Sequence, residues 1–126
     1  MFAYTVQALL DPQLVLQSND CGCVIYQCTV SDEGGIIWRG AAFDCMGTNN
    51  ELTLLGIDQC AAECNSGTVK AQRENNYTSQ LIILNSSLSG SSIECIHYNG
   101  TNSNVIGTMS VPTITTLSGR CMVLLQ

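Results

Sequence analysis

Apolar and polar residues alternate with a period of two over most of this chain, which is the pattern of strands buried on one face. Residues 23–30 place Val24, Tyr26 and Cys28 on one side. Residues 36–43 place Ile36 and Trp38 on one side and Ile37 and Arg39 on the other. In 77–84 the inward positions are Leu81 and Ile83, and in 92–98 they are Ile93 and Cys95. Residues 105–114 read as a last strand with Val105, Gly107, Met109 and Val111 on one face. Three weaker segments complete the set: an edge strand over 13–18, a short strand over 51–57 and a polar, exposed strand over 68–74. Turn-forming residues separate them at Asn19-Asp20, 31–35, 47–50, 85–90 and 99–104. Residues 58–67 read as a cysteine-bearing loop, and 57–64 is the nearest approach to a helix, a turn or two at most.

About eight strands at this spacing predict an all-β sandwich or barrel. The domain spans 13–114. Residues 1–12 form an N-terminal segment, and 115–126 a tail or the first strand of a following domain. The apolar run at the start is too short to span a bilayer. It lacks the basic flank and small-residue cleavage site of a signal peptide, so we expect a mature secreted module or part of a larger surface protein.

Composition narrows the function. Charged residues make up 11% of the chain and net charge is −6. The only cations are Arg39, Lys70, Arg73 and Arg120, too few and too scattered for a phosphate-binding stripe or a polybasic membrane patch. We therefore expect a protein partner, with no nucleic acid and no membrane insertion by this segment. Enzymatic chemistry needs a constellation of groups, and none is visible. His97 is the one histidine and faces inward by parity. No cofactor or metal is expected: Cys21-Gly22-Cys23 and the Cys60, Cys64 pair lack zinc-knuckle spacing.

Eight cysteines in 126 residues point to disulfides in an oxidising compartment. Three sequons, at Asn76, Asn85 and Asn99, fall near strand ends or loops and agree with export. Cys28, Trp38 and Cys95 have the spacing of an inter-sheet bridge with a tryptophan packed on it. Closing so long a loop stabilises a fold by about 4 kcal/mol in the chain-entropy model.

On that trio, and on Tyr77-Thr78-Ser79-Gln80-Leu81-Ile82-Ile83 leading to Ile93-Glu94-Cys95, the chain resembles the immunoglobulin superfamily of variable type over residues 13–114. Cys28-Thr29-Val30, Ile37-Trp38-Arg39-Gly40 and Ala42-Phe43-Asp44-Cys45 resemble more narrowly the immunoglobulin-like domains of surface proteins in sponges and cnidarians. The resemblance implies a two-sheet Greek-key sandwich and an extracellular recognition module for adhesion or a receptor. The alternatives are a spacer in a multidomain ectodomain and a secreted immune-type binder. It also implies a Cys45–Cys64 bridge, since those positions lie close in a variable-like sandwich. Cys21, Cys23, Cys60 and Cys121 keep three possible pairings.

Partners of such domains often dock on the outer face of the sheet that carries the tryptophan. Outward parity there gives Ile37, Arg39, Glu94, Ile96, Tyr98 and Ile106. A sugar on Asn99 would crowd the Tyr98 end of that face. The chain departs from antigen receptors in three places. Ile93 stands at the tyrosine-corner position, Ser89 leaves Arg73 without its usual acidic partner, and Gly107 stands without the glycine pair of the last-strand bulge.

Overall fold

The alternating segments form strands that pair into two antiparallel sheets. The computed structural model describes residues 11–19, 23–45, 50–55 and 60–114. In chain order the strands are β1 (Gln13–Ser18), β2 (Val24–Thr29), β3 (Gly35–Gly40), β4 (Glu51–Leu54), β5 (Ala61–Cys64), β6 (Val69–Asn75), β7 (Thr78–Ile83), β8 (Ser92–Tyr98) and β9 (Ser103–Ser110). Single 3-10 turns occupy Asn65–Gly67 and Ser86–Leu88. One sheet has the order β1-β2-β7-β6-β5 and the other β4-β3-β8-β9. The fold is therefore an all-β, two-sheet sandwich.

The core lies between the sheets. Val24, Tyr26, Cys28, Val69, Ala71, Leu81 and Ile83 from the five-stranded sheet meet Ile36, Trp38, Leu52, Leu54, Ile93 and Cys95 from the four-stranded one. Each large apolar side chain buried there contributes about 1.5–3 kcal/mol. A Cys28–Cys95 disulfide crosses the middle and joins β2 to β8. Beside it Trp38 is 0% exposed. Its indole N–H donates to Ser79 Oγ at 2.9 Å, and the Ser79 hydroxyl donates to the Gln72 carbonyl at 2.8 Å. Ser79 lies opposite Cys28 in the β2–β7 register. The buried indole thus has a fixed acceptor, as a buried donor requires.

A second tie crosses the sandwich at its edge. The Tyr26 hydroxyl on β2 donates to the Ser110 carbonyl at the end of β9, 3.1 Å away. Burial pushes the Tyr26 phenol up to about 12. Nearby, β1 and β9 approach so closely that a Cβ at Gly107 would stand 2.9 Å from Leu14 Cβ. Only glycine fits there.

Five details differ from the sequence reading. First, β3 ends at Gly40 rather than 43, because the chain turns there and Phe43 folds back. The Phe43 N–H donates to the Gly40 carbonyl, and its ring lies 2.5 Å from where a Gly40 Cβ would be. Second, the expected loop at 58–67 contains β5. Ala61-Ala62-Glu63 has no strand signal of its own. It is held by pairing with β6, by the Cys45–Cys64 disulfide, and by Asn65, whose Oδ1 accepts from the Asp44 N–H at 2.9 Å. Third, β6 is flanked by β5 and β7, so Val69 and Ala71 are buried and the strand is not an exposed one.

Fourth, β9 begins at Ser103 and carries a bulge. Cys95 pairs with Gly107, but Ile96 pairs with Val105, which leaves Ile106 as the extra residue. The bulge is present without the glycine pair. Fifth, it reverses the parity before Gly107: Val105, expected inside, points outward and is 54% exposed, while Ile106 packs on the core. The turn residues 47–49, Asp20, residues 1–10 and residues 115–126 lie outside the described residues.

Candidate binding face

Three rows of side chains cross the outer face of the four-stranded sheet, and the strand register fixes each. The middle row runs Thr53, Ile37, Ile96, Val105 over β4, β3, β8 and β9. The row on one side runs Glu51, Arg39, Glu94, Thr108. On the other side Tyr98 pairs with Gly35 and Ser103, with Leu55 close over Gly35 and 49% exposed. Ile37, Arg39, Glu94 and Tyr98 are half-buried on this face.

Two of the six expected face residues are corrected. Ile96 points outward but is only 2% exposed, in the middle of its row between Ile37 and Val105. Parity sets a side chain's direction, not its exposure. Ile106 is turned to the core by the bulge, and Val105 takes its place.

The polar row is an ion triad. Arg39 donates through Nε and Nη2 to Glu51 Oε2 at 2.9 and 2.7 Å, and through Nη1 to Glu94 Oε1 at 3.4 Å. The hydrogen bonds to Glu51 come first in holding the guanidinium above its ordinary value. Such half-exposed pairs contribute about 0–1 kcal/mol to stability, so their main effect is to fix charge in place. Two carboxylates and one guanidinium leave the row with a net negative charge. Beside it Arg39, Ala41, Asn50, Ser92, Glu94 and Thr108 line an open cleft of about 320 Å³.

The remaining chemistry-bearing residues lie elsewhere. Arg73, without an acidic partner at Ser89, donates to three carbonyls instead: Leu54 (2.6 Å), Gly34 (3.1 Å) and Asn76 (3.2 Å). Burial holds it below its ordinary value. His97 is inside the sandwich at 6% exposure, and its Nε2 meets no hydrogen-bond partner among the described residues. No group of three or more His, Cys, Asp or Glu among the described residues is placed to hold a metal ion. Among them, too, no helix is long and apolar enough to cross a membrane.

Cys23 is disulfide-bonded and 1% exposed, Cys60 is exposed next to β5, and Cys21 and Cys121 lie outside the described residues. Asn76 sits in the β6–β7 turn, Asn85 starts the turn before Leu88, and Asn99 follows β8. Sequence reasoning missed Ser79 and Val105. The first was legible, since parity with Leu81 and Ile83 puts its hydroxyl inside; the second was hidden by the bulge.

No protein-family profile matches the chain, and no curated protein matches it in sequence.

Proposed function

We propose that the protein is an extracellular recognition module of the immunoglobulin-like, variable type, which binds a protein partner through the outer face of β4, β3, β8 and β9. The carrying observation is the apolar row that ends in Val105, 54% exposed, beside a fixed ion triad. Covering apolar surface of this kind is favourable by roughly 25 cal/mol per Å², and charges held in place select among partners. The strand order β4-β3-β8-β9, with β2 and β8 bridged beside Trp38, supports the variable-type reading, while β5 departs from it by joining the opposite sheet. The two disulfides among the described residues fit an oxidising compartment.

Coated-bead adhesion, bead to bead and bead to cell, tests the reading. Val105→Asp and Arg39→Glu should abolish adhesion, while Gln80→Ala on the opposite sheet should leave it intact. Adhesion lost equally from both faces, or absent from the unaltered protein, would favour the spacer.

A further inference from the structure

The three sequons stand in different local structures, and the difference selects one of them. Asn99 is exposed in the turn between β8 and β9. Its Oδ1 accepts from the Asn102 N–H at 2.9 Å and from the Thr101 N–H and hydroxyl, each at 3.3 Å. The turn is closed by the Asn99 N–H donating to the Asn102 carbonyl at 3.1 Å. All of these bonds use the oxygen or the backbone. The side-chain Nδ2, the atom that a sugar would take, donates to no group among the described residues.

At the other two sequons Nδ2 is engaged. Asn85 is half-buried between Leu84 and the 3-10 turn that buries Leu88. Its Oδ1 accepts from the Ser87 N–H and hydroxyl at 3.0 and 2.6 Å, and its Nδ2 donates to Thr68 Oγ1 at 3.3 Å. Asn76 is half-buried, its Nδ2 donates to Glu33 Oε2 at 3.1 Å, and its carbonyl accepts from Arg73. A sugar leaving Asn85 would emerge into the corner where β6 meets the Ser86–Leu88 turn. One leaving Asn99 would emerge into water.

We infer that Asn99 carries an N-linked glycan on the folded protein, that Asn85 stays bare, and that Asn76 is intermediate. The inference rests on the extracellular reading above. In the step itself Asn99 Nδ2 forms a bond to C1 of the first sugar of a lipid-pyrophosphate-linked oligosaccharide. The C1–O bond to the pyrophosphate breaks, the lipid pyrophosphate leaves, and the transferase's base takes the amide proton. Transfer precedes the pairing of β8 with β9. The folded surface acts afterwards, because chains whose sugar obstructs packing are not exported.

The position has a consequence for binding. Asn99 adjoins Tyr98, so its glycan bounds the face at that end. Glu94 lies four residues along β8, about 13 Å away at strand spacing, so the triad and its cleft remain open. The partner's footprint then centres on Arg39 and Val105 and stops short of Tyr98.

The test is occupancy mapping. The full chain, behind an added secretory leader, is expressed in eukaryotic cells. Exported protein is treated with an amide-cleaving N-glycosidase in heavy-oxygen water and mapped by mass spectrometry. Heavy aspartate is expected at position 99 in nearly all molecules and at position 85 in almost none. Asn99→Gln should remove a mobility step on a gel, and Asn85→Gln should leave the band in place. An unlabelled position 99, or equal labelling at 85, overturns the inference. Because the leader forces entry into the secretory route, failure of the extracellular reading shows separately, as cytosolic retention of the natural full-length product in its own cells.

Discussion

Outside the five-stranded sheet, Gln72 donates to Gln80 at 3.0 Å, Gln80 donates to Gln17 at 2.9 Å, and Gln27 donates to Glu74 at 2.9 Å. Outside the four-stranded sheet, an apolar row ends in Val105 and an arginine is held between two glutamates. On the first face, amides answer one another. Its apolar residues Ile25, Ile82 and Leu84 are buried beside Cys23. On the second face, Val105 is 54% exposed beside an open cleft, and under the proposed function this is where a partner would settle. One fold thus turns an amide-linked face and a face with an apolar row and an ion triad to water, and under the proposed function the second is the receptive one.

The largest expected effect separates the two halves of the receptive face. Ile96→Asp should lower stability by about 3 kcal/mol or more, because it places a carboxylate in a dry position. Val105→Asp should change stability by no more than about 1 kcal/mol and act on binding alone. Denaturant unfolding with the disulfides intact measures both, and equal losses would mean that Val105 is packed rather than offered.

The next effect concerns what holds the two faces back to back. Ser79→Ala leaves the Trp38 N–H buried without its acceptor and should cost about 1–3 kcal/mol. A loss near zero would show that the indole does not depend on this bond.

Tyr26→Phe removes the tie between β2 and β9 and should cost about 1 kcal/mol at neutral pH. The folded phenol titrates at about 12 against an ordinary value of 10.0. Its contribution is therefore full below pH 10 and is lost as pH rises from 10 towards 12. Tyrosine absorbance should lose a transition near pH 12 in Tyr26→Phe relative to the unaltered protein.

Gln80→Ala should have the smallest effect, about 0.5–1 kcal/mol at most, with adhesion unchanged. If it weakened adhesion as much as Arg39→Glu, the contrast between the faces would disappear.

Much of this arrangement was legible in the sequence, and the reasons are local. β2, β7 and β8 alternate cleanly, so Tyr26, Cys28, Leu81, Ile93 and Cys95 could be placed inside from period alone. β5 was not legible, because two alanines and a glutamate become a strand only through a neighbour's free edge and a disulfide. The candidate face was half legible. Ile37, Arg39, Glu94 and Tyr98 follow parity, but a single inserted residue exchanged Val105 for Ile106. The burial of Ile96 depends on what surrounds it, which period does not encode. The state of each sequon was invisible too, since the groups that engage Nδ2, Glu33 for Asn76 and Thr68 for Asn85, lie outside the motifs.

The Cys28–Cys95 bridge also bears on how the protein would respond to being pulled. Tension applied to the two ends passes from β2 directly to β8 through covalent bonds. The 67-residue separation between the two cysteines is thereby removed from the extensible length, roughly 220–240 Å of contour at full extension. The chain between the two cysteines cannot unravel under load. β3, β4 and β8 as far as Cys95, with Arg39, Glu51 and Glu94, fall inside the protected loop, whereas β9 and Val105 fall outside it. Under force the charged triad would stay in place, because all three of its residues lie within that loop.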